Sequence, residues 1–475
     1  MINQQAMRRF TRPIIAPLAA LSLIVAALAA FSVPANATKI ERVISPAGIE
    51  FWFVRDATVP LVSIEFNFRG GAAQDPDDKT GLAEITVSTL DEGAGDLDGT
   101  AFHARLEGKA IELQIRASRE DVRGTLRTLK ENQDEAFDLL RLALNEPRFD
   151  NSAVERMRAQ AIASLQRQST NPNSIASRNW WASAFPNHPY GRPVSGTLES
   201  VPRITPDDMR DYARRVLARD NLKIAVVGDI DTDTAGKLID RTFAKLPAKA
   251  ELKPIPETKI QGLGGRNVVD LNVPQAVVNF GGNGIARNDP DFMAAYIVNH
   301  ILGGGSFTSR LYREVREKRG LAYGVSDSLV WLNRTALLLG STATRADATG
   351  QTIDIIEHEI RRLAEEGPTE EEFAKAKTYL KGSFALGLDT SNRIAAQLLQ
   401  MQLDNLGIDY IERRPGLIDA VTLVDAKRVA KRLLEGGLLI TVVGRPEGVT
   451  STDGGLGGAP KHLAKPNSTP AIREP

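Results

Sequence analysis

An arginine and a tyrosine, seven residues apart, flank a glycine that is suited to end a helix. The three residues are Arg316, Gly320 and Tyr323. Glycine readily adopts the left-handed conformation that ends many helices. Because Arg316 falls in the last helical turn and Tyr323 begins the next strand, both side chains are expected on the same side of the junction. A guanidinium there can donate hydrogen bonds to carbonyl groups of a ligand. A phenol hydroxyl can donate a hydrogen bond that stabilises an oxyanion developing during a reaction.

The same two residues also have a purely structural interpretation. Charged residues are common at helix ends, so Arg316 can pair with Glu314 or Glu317 while Tyr323 packs against its neighbours. Residue types and spacing alone favour this structural interpretation.

Three consecutive glycines, Gly303, Gly304 and Gly305, are expected to open the helix that Gly320 ends, with Ser306 or Thr308 as its N-cap. Glycine lets an extended peptide approach the backbone closely, which would suit a substrate-binding loop. A plain helix-to-helix turn explains the run equally well.

Residues 299–325 as a whole resemble the second-domain signature of the insulinase-like (pitrilysin) zinc peptidases, the family that includes the mitochondrial processing peptidase. This resemblance implies that Arg316 and Tyr323 hold a substrate peptide. It also implies a substrate role for the glycine run, as in the zinc-free subunit of the processing peptidase. The glycines, the arginine and the tyrosine all align with the family signature. The resemblance therefore favours a functional role for Arg316 and Tyr323 over the structural interpretation.

The family's zinc signature, His-x-x-Glu-His, falls by this resemblance on Glu84, Val87 and Ser88. Two histidines four residues apart on a helix reach one metal ion, and the glutamate activates its bound water. The third ligand, a glutamate in the family, falls near Ser164. Because one carboxylate without partners binds zinc poorly, we expect this chain to bind no metal.

The five histidines offer no substitute ligand set. His188 and His300 are expected to be structural, and His358 to lie on the surface. His103 and His462 have no plausible co-ligands nearby in sequence.

The chain repeats itself at an offset of 216 to 219 residues. Thr205-x-x-Asp208 and Thr422-x-x-Asp425 each precede a helical pattern and a buried strand, and each is typical of a capping box. A second match begins at Asn173 and Asn392.

Each copy reads as a strand, a helix, several strands, long helices and a final buried strand. This order predicts an α+β fold of two similar domains, each a mixed or antiparallel sheet packed with helices. The alternating segment from Leu61 to Phe68 is expected to be a half-buried strand. In the family, such a pair of domains forms half of a peptidase chamber.

The predicted boundaries are a signal peptide (1–37), an N-terminal peptidase-like domain without the zinc motif (38–246), an exposed linker (247–265), a C-terminal peptidase-like domain (266–448) and a flexible tail (449–475). Proline and glycine mark the linker. The tail has too few apolar residues to offset the entropy of ordering it.

The first 37 residues have the layout of a cleavable secretory signal, with Arg8, Arg9 and Arg12 before an apolar run and Ala35-Asn-Ala37 after it. A periplasmic location follows. An uncleaved membrane anchor is the alternative, because the apolar run reaches 18 residues.

Charge and cysteine content exclude other classes of partner and chemistry. Removing the three arginines of the signal segment leaves 56 basic and 59 acidic residues, a net charge of −3. Such a balance gives no reason to expect nucleic acid or an anionic membrane surface as a partner. The absence of cysteine rules out disulfides and thiolate ligands.

The resemblance predicts the zinc-free subunit of a heterodimeric periplasmic peptidase, inactive alone. A homologous subunit with an intact His-x-x-Glu-His motif would hold the zinc, and this chain would contribute Arg316 and Tyr323 to the cleavage of peptides. The alternatives are a catalytically inactive peptide-binding or scaffold protein, and a homodimer that captures peptides without cutting them.

Overall fold

The structure, a computed structural model, describes residues 39–452. The predicted signal peptide, His462 and most of the predicted tail lie outside the described residues. Among residues 39–452, no helix is both long enough and apolar enough to span a membrane.

A six-stranded sheet is formed by residues 41–228, in the order β1-β2-β8-β3-β7-β6. Its neighbouring strands are antiparallel, except for the parallel pair β2 and β8. A two-stranded sheet, β4 with β5, lies beside it. The strands are β1 (Glu41–Ile44), β2 (Glu50–Arg55), β3 (Leu61–Arg69), β4 (Gly93–Ala94), β5 (Leu97–Asp98), β6 (Glu112–Ala117), β7 (Asp121–Leu129) and β8 (Leu222–Gly228).

The second sheet repeats this order with one strand fewer, as β11-β12-β10-β13-β9. Here too one pair, β13 with β9, is parallel and the others are antiparallel. The strands are β9 (Arg266–Asp270), β10 (Gln275–Asn283), β11 (Ala322–Leu332), β12 (Thr335–Arg345) and β13 (Leu439–Gly444). The predicted pair of similar, mixed α+β domains is confirmed.

Helices pack on both sheets, and each half of the chain has its own apolar core. The helices are α1 (Leu82–Val87), α2 (Gly99–Gly108), α3 (Gln133–Asn145), α4 (Asn151–Thr170), α5 (Pro172–Ala184), α6 (Pro206–Val216), α7 (Thr232–Phe243), α8 (Phe292–Asn299), α9 (Arg310–Tyr312), α10 (Thr349–Glu366), α11 (Glu370–Leu386), α12 (Ser391–Leu403), α13 (Tyr410–Ala420) and α14 (Leu423–Leu434).

Helices α6 and α14 begin as the sequence repeat predicted. The hydroxyl of Thr205 accepts from the backbone N–H of Asp208, and that of Thr422 from the N–H of Asp425. Each aspartate carboxylate in turn accepts a hydrogen bond from the threonine backbone N–H, which completes a capping box in both copies.

The second sequence match marks the two helices that cross between the halves. Helix α5 leaves the N-terminal half and packs on β10 and β13, where Ile175 meets Val277 and Val443. Helix α12 leaves the C-terminal half and packs on β3 and β8, where the Gln402 side chain donates to the carbonyl of Ile224 at 2.8 Å. Each sheet is thus partly covered by a helix of the other half.

This exchange corrects the prediction that β3 is half-buried. Both faces of β3 are buried, because its apolar face lies on the N-terminal core and α12 lies on its polar face. Glu65 is only 3% exposed, and its carboxylate accepts from Arg123 Nε at 2.9 Å and Thr125 Oγ1 at 2.7 Å. The alternation of apolar and polar residues along β3 was predicted correctly, but the helix that covers its polar face comes from the other half of the sequence.

Residues 247–265 contain no helix or strand. Most of the segment is exposed, as expected, but Ile260 is buried beside Trp180 and Leu439, between the two halves. Its backbone is held at Lys253, whose N–H and carbonyl both bond the side-chain amide of Gln74.

Candidate functional site

The glycine run ends one helix and does not open the next, which corrects the predicted helix start. Helix α8 continues as a π-helical turn over His300–Gly304, and Ser306 has a φ of 47° within the following short turn. Ser309 is the N-cap, since its backbone is extended and its hydroxyl accepts from the N–H of Tyr312 at 3.4 Å. Neither Ser306 nor Thr308 takes that role.

Helix α9 continues as a second π-helical segment over Arg313–Glu317. Gly320 ends it with a φ of 61°, the left-handed conformation that the sequence predicted. Its N–H donates to the carbonyl of Arg316 at 2.9 Å, which closes the turn that leads into β11.

Arg316 and Tyr323 meet across this turn. The Arg316 guanidinium lies 4.5 Å from the centre of the Tyr323 ring, a cation–π contact, and Tyr323 is 85% exposed. Glu314 bonds Lys318 and Arg319 instead, at 2.7 and 2.8 Å. Within residues 39–452, Arg316 has no ion-pair partner, so the acidic pairing of the structural interpretation is absent, while Tyr323 does pack, against Arg316 itself.

Tyr312 and Phe307 extend this pair into a continuous stack that the sequence analysis missed. The buried Tyr312 hydroxyl accepts from Arg316 Nη1, and the guanidinium lies 5.0 Å from the Tyr312 ring centre. Phe307, 68% exposed, packs edge-on against Tyr312 at 5.0 Å. The spacing of Tyr312 and Arg316, four residues apart in a helical segment, was the available signal.

A cavity of about 610 Å³ opens beside this stack, between the glycine turn and helix α11. Phe307, Tyr379 and Glu317 are among the residues that line it. The rings of Phe307 and Tyr379 therefore face a space large enough for a peptide side chain, whereas Arg316 and Tyr323 do not line it.

The three glycines are closely packed. A Cβ atom on Gly303 would lie 2.8 Å from both the backbone and the side chain of Asp327. One on Gly304 would lie 2.9 Å from the Asn299 amide oxygen, and one on Gly305 would lie 2.6 Å from a main-chain carbonyl of the preceding turn. Gly303 is buried and Gly304 is exposed. This packing accounts for the glycines as a turn, and their substrate role stays a prediction.

Asp327 holds the glycine turn from β11. Its carboxylate accepts from the Asn299 side-chain amide at 2.6 Å and from the backbone N–H of Gly303. Burial raises the pKa of Asp327 well above its ordinary value.

The three positions of the degenerate zinc motif lie on or next to helix α1 and offer no ligand set. Val87 is 3% exposed within the apolar core, and the Ser88 hydroxyl donates to the carbonyl of Ile85 at 3.1 Å. Burial raises the pKa of Glu84, which disfavours its charged form. Ser164, on α4, accepts a hydrogen bond from Gln168. These residues do not fit a zinc ion.

Among the described residues, one group of three could reach a metal ion: Asp91, Glu92 and His103, whose ligand atoms lie within 4.8 Å of one another. The fold thus brings His103 to acidic neighbours that its sequence position did not suggest. However, the Arg156 guanidinium already binds the Glu92 carboxylate. The cluster's charge is therefore partly neutralised without an ion.

The other described histidines lie where the sequence analysis expected them. His188 is buried, with Nδ1 accepting from the Tyr190 N–H. His300 stacks on the Tyr379 ring at 4.9 Å, and burial lowers its pKa. His358 is exposed on α10.

Two family profiles match this chain. The profile of insulinase (peptidase family M16) matches residues 52–198, and that of the peptidase M16 inactive domain matches residues 203–380. Together they span more than half of the sequence. The chain belongs to the insulinase family, peptidase family M16.

The relatives of this M16 chain include one protein named as a non-peptidase homolog and one named as a zinc protease. The non-peptidase homolog YmxG of Helicobacter pylori is 29% identical over 349 residues, covering 73% of this chain and 80% of that protein. The uncharacterized zinc protease SCO5738 of Streptomyces coelicolor is 30% identical over 269 residues, covering 55% of this chain and 58% of that protein.

A crystal structure of a peptidase M16 inactive domain from Pseudomonas fluorescens superposes with a TM-score of 0.78 at 27% identity, covering 86% of this chain and 98% of that one. The resemblance to insulinase-like peptidases is therefore confirmed. Because Glu84, Val87 and Ser88 replace the zinc signature, this chain is a non-catalytic member of the M16 family.

Proposed function

We propose that this chain is the zinc-free subunit of a heterodimeric zinc metallopeptidase that degrades or processes peptides. A homologous subunit with an intact His-x-x-Glu-His motif holds the zinc ion, which activates the attacking water when bound. This chain supplies Arg316 and Tyr323 to the shared site. The observation that carries the proposal is the exposed Tyr323 ring, stacked on an arginine that has no acidic partner among residues 39–452.

The geometry gives each residue a separate task. Arg316 has five N–H donors, and Tyr312 accepts a hydrogen bond from one of its nitrogens, which fixes the guanidinium plane. The remaining donors can bind carbonyl groups of an extended peptide. Tyr323 can donate its hydroxyl proton in a hydrogen bond to the oxyanion that forms at the scissile carbonyl.

The proposal places the complex in the periplasm, on the basis of the sequence of residues 1–37. The lone chain is expected to be inactive, because Val87 occupies the position of the glutamate that activates water in the family's zinc signature. The near balance of charge over the mature chain fits peptides as substrates and gives no role to nucleic acid.

A second candidate is a catalytically inactive peptide-binding or scaffold protein. The observation that favours it is the similarity to a relative named a non-peptidase homolog. In that case Arg316 and Tyr323 would contribute nothing to catalysis by any partner.

The test is affinity capture of the tagged mature protein from its own periplasm, followed by metal analysis and a peptide-cleavage assay on the eluate. We expect a zinc-bearing homologue, and cleavage that is lost with Arg316→Ala or Tyr323→Phe. Arg319→Ala is the matched control, because Arg319 lies at the same helix end but pairs with Glu314.

Recovery of the chain alone, free of metal and inert, would contradict the subunit proposal and favour the scaffold. Zinc-dependent cleavage by the purified single chain would contradict both.

A further inference from the structure

A polar groove of about 410 Å³ lies between helix α5 and the C-terminal sheet, outside the site described above. Six uncharged polar side chains line it: Asn173, Ser177, Asn279, Ser326, Ser328 and Ser341. Within the described part of the chain, none of these six side chains has a hydrogen-bond partner. Their hydrogen-bonding capacity is therefore available to a ligand.

Three of these side chains form one row across the sheet. Ser326 on β11 is paired with Ser341 on β12, and Ser341 with Asn279 on β10. Directly opposed residues face the same side of a sheet, about 4.8 Å apart from strand to strand. Asn173 and Ser177 are four residues apart on α5, so they share one helix face and form the opposite wall.

The lack of charge is specific to this sheet. The corresponding row in the N-terminal sheet is Gln114 on β6, Thr125 on β7 and Glu65 on β3, so a carboxylate lies where Asn279 lies here. The flanking pairs Glu112–Arg127 and Arg116–Arg123 add further charge. In the C-terminal groove the one charged residue is Asp327. Because side chains alternate along a strand, its carboxyl points to the other face, toward Asn299.

We infer that this groove binds the main chain of an extended peptide. A side-chain amide both donates and accepts hydrogen bonds, as does a serine hydroxyl, so the row can match the N–H and C=O groups of any sequence. With no charged side chain, the groove does not select among peptide side chains by charge. The inference rests on the proposed function only in taking the bound peptides to be those that the complex cleaves.

Continuity with the candidate site supports a peptide. Strand β11 is the edge of its sheet and carries Tyr323 near its start. Ser326 and Ser328 follow three and five residues later, roughly 10 and 17 Å along the strand. One extended peptide segment can therefore contact both Tyr323 and the groove.

The aromatic residues of the groove argue against a carbohydrate. Sugar rings pack on open faces of aromatic rings, but Trp180 is buried, with its indole N–H donated to the carbonyl of Leu439 at 2.9 Å. The Arg119 guanidinium covers one face of Trp181 at 3.5 Å. The polar side chains remain as the recognition elements.

The test is fluorescence anisotropy with the purified full-length chain and a labelled unstructured peptide of about 15 residues. A matched peptide with N-methyl groups on alternate main-chain nitrogens removes donors and keeps every side chain. We expect N-methylation to weaken binding at least tenfold, because two or more hydrogen bonds are lost. The double variant Asn173→Ala/Asn279→Ala should weaken the parent peptide similarly and the N-methylated peptide little.

Gln114→Ala is the matched control, since it removes an exposed side-chain amide from β6 of the other sheet. Equal affinity for both peptides, an unaffected double variant, or displacement of the peptide by oligomers of N-acetylglucosamine would each overturn the inference. In the complex, Asn173→Ala/Asn279→Ala should raise the KM for peptide and leave kcat near the parent value, whereas Arg316→Ala should abolish cleavage. The failure of one proposal is thereby distinguishable from that of the other.

Discussion

Replacing Gly303 by alanine tests whether the glycine run is a packing requirement of the fold. The new Cβ would lie 2.8 Å from the backbone nitrogen and the carboxyl carbon of Asp327, closer than real Cβ contacts come. Since β11 holds Asp327 and the carboxyl is itself hydrogen-bonded, the contact cannot be relieved by one rotamer change. Overpacking of this kind costs about 1–3 kcal/mol.

The two neighbouring positions give a graded comparison. Gly304→Ala meets a side-chain amide oxygen and lies on the surface, so we expect a cost of about 1 kcal/mol or less. Gly416→Ala is the control, because it lies exposed within α13 and its Cβ would meet nothing within 4 Å. Alanine there should stabilise the protein by about 0.5–1 kcal/mol.

The assay is urea-induced unfolding followed by tryptophan fluorescence and circular dichroism, with the free energy of unfolding compared among the three variants. If Gly303→Ala is as stable as the parent protein while peptide binding or cleavage falls, the packing explanation is refuted. The glycine would then be needed for the substrate.

Three further predictions follow from single contacts. Tyr312→Phe removes the hydroxyl that accepts from Arg316, and cleavage by the complex should fall about 3- to 20-fold through a higher KM, while stability changes by about 1 kcal/mol or less. Glu65→Gln weakens the buried bond to Arg123 and should cost about 1.5–3 kcal/mol in urea unfolding, since charged hydrogen bonds are lost. Burial raises the pKa of Asp75 to about 7, so this group retains its proton in the folded state above its unfolded pKa. The unfolding free energy should therefore decrease between pH 4 and 7, and Asp75→Asn should flatten that slope; an unchanged slope would contradict the assignment.

Local sequence signals determined two of the helix caps and the left-handed turn. The capping boxes at Thr205 and Thr422 and the positive φ of Gly320 depend on residues within four positions, so the sequence contains all of their causes. The glycine run has no such local cause. Its conformation depends on Asp327, more than 20 residues away, and a local pattern does not show that contact.

By itself the sequence determined that the chain has two similar α+β halves, that it belongs to the insulinase-like peptidases and that its zinc motif is degenerate. Internal repeats, the spacing of hydrophobic residues and the residues of a motif can all be read from the linear sequence. Only the tertiary structure decided that β3 is buried on both faces, that Tyr312 completes the Arg316–Tyr323 pair and that six neutral side chains share one groove. The burial of β3 and the groove depend on segments far apart in sequence being brought together, because helices α5 and α12 each cover the sheet of the opposite half. The Tyr312 contact is local and depends on the π-helical geometry of Arg313–Glu317.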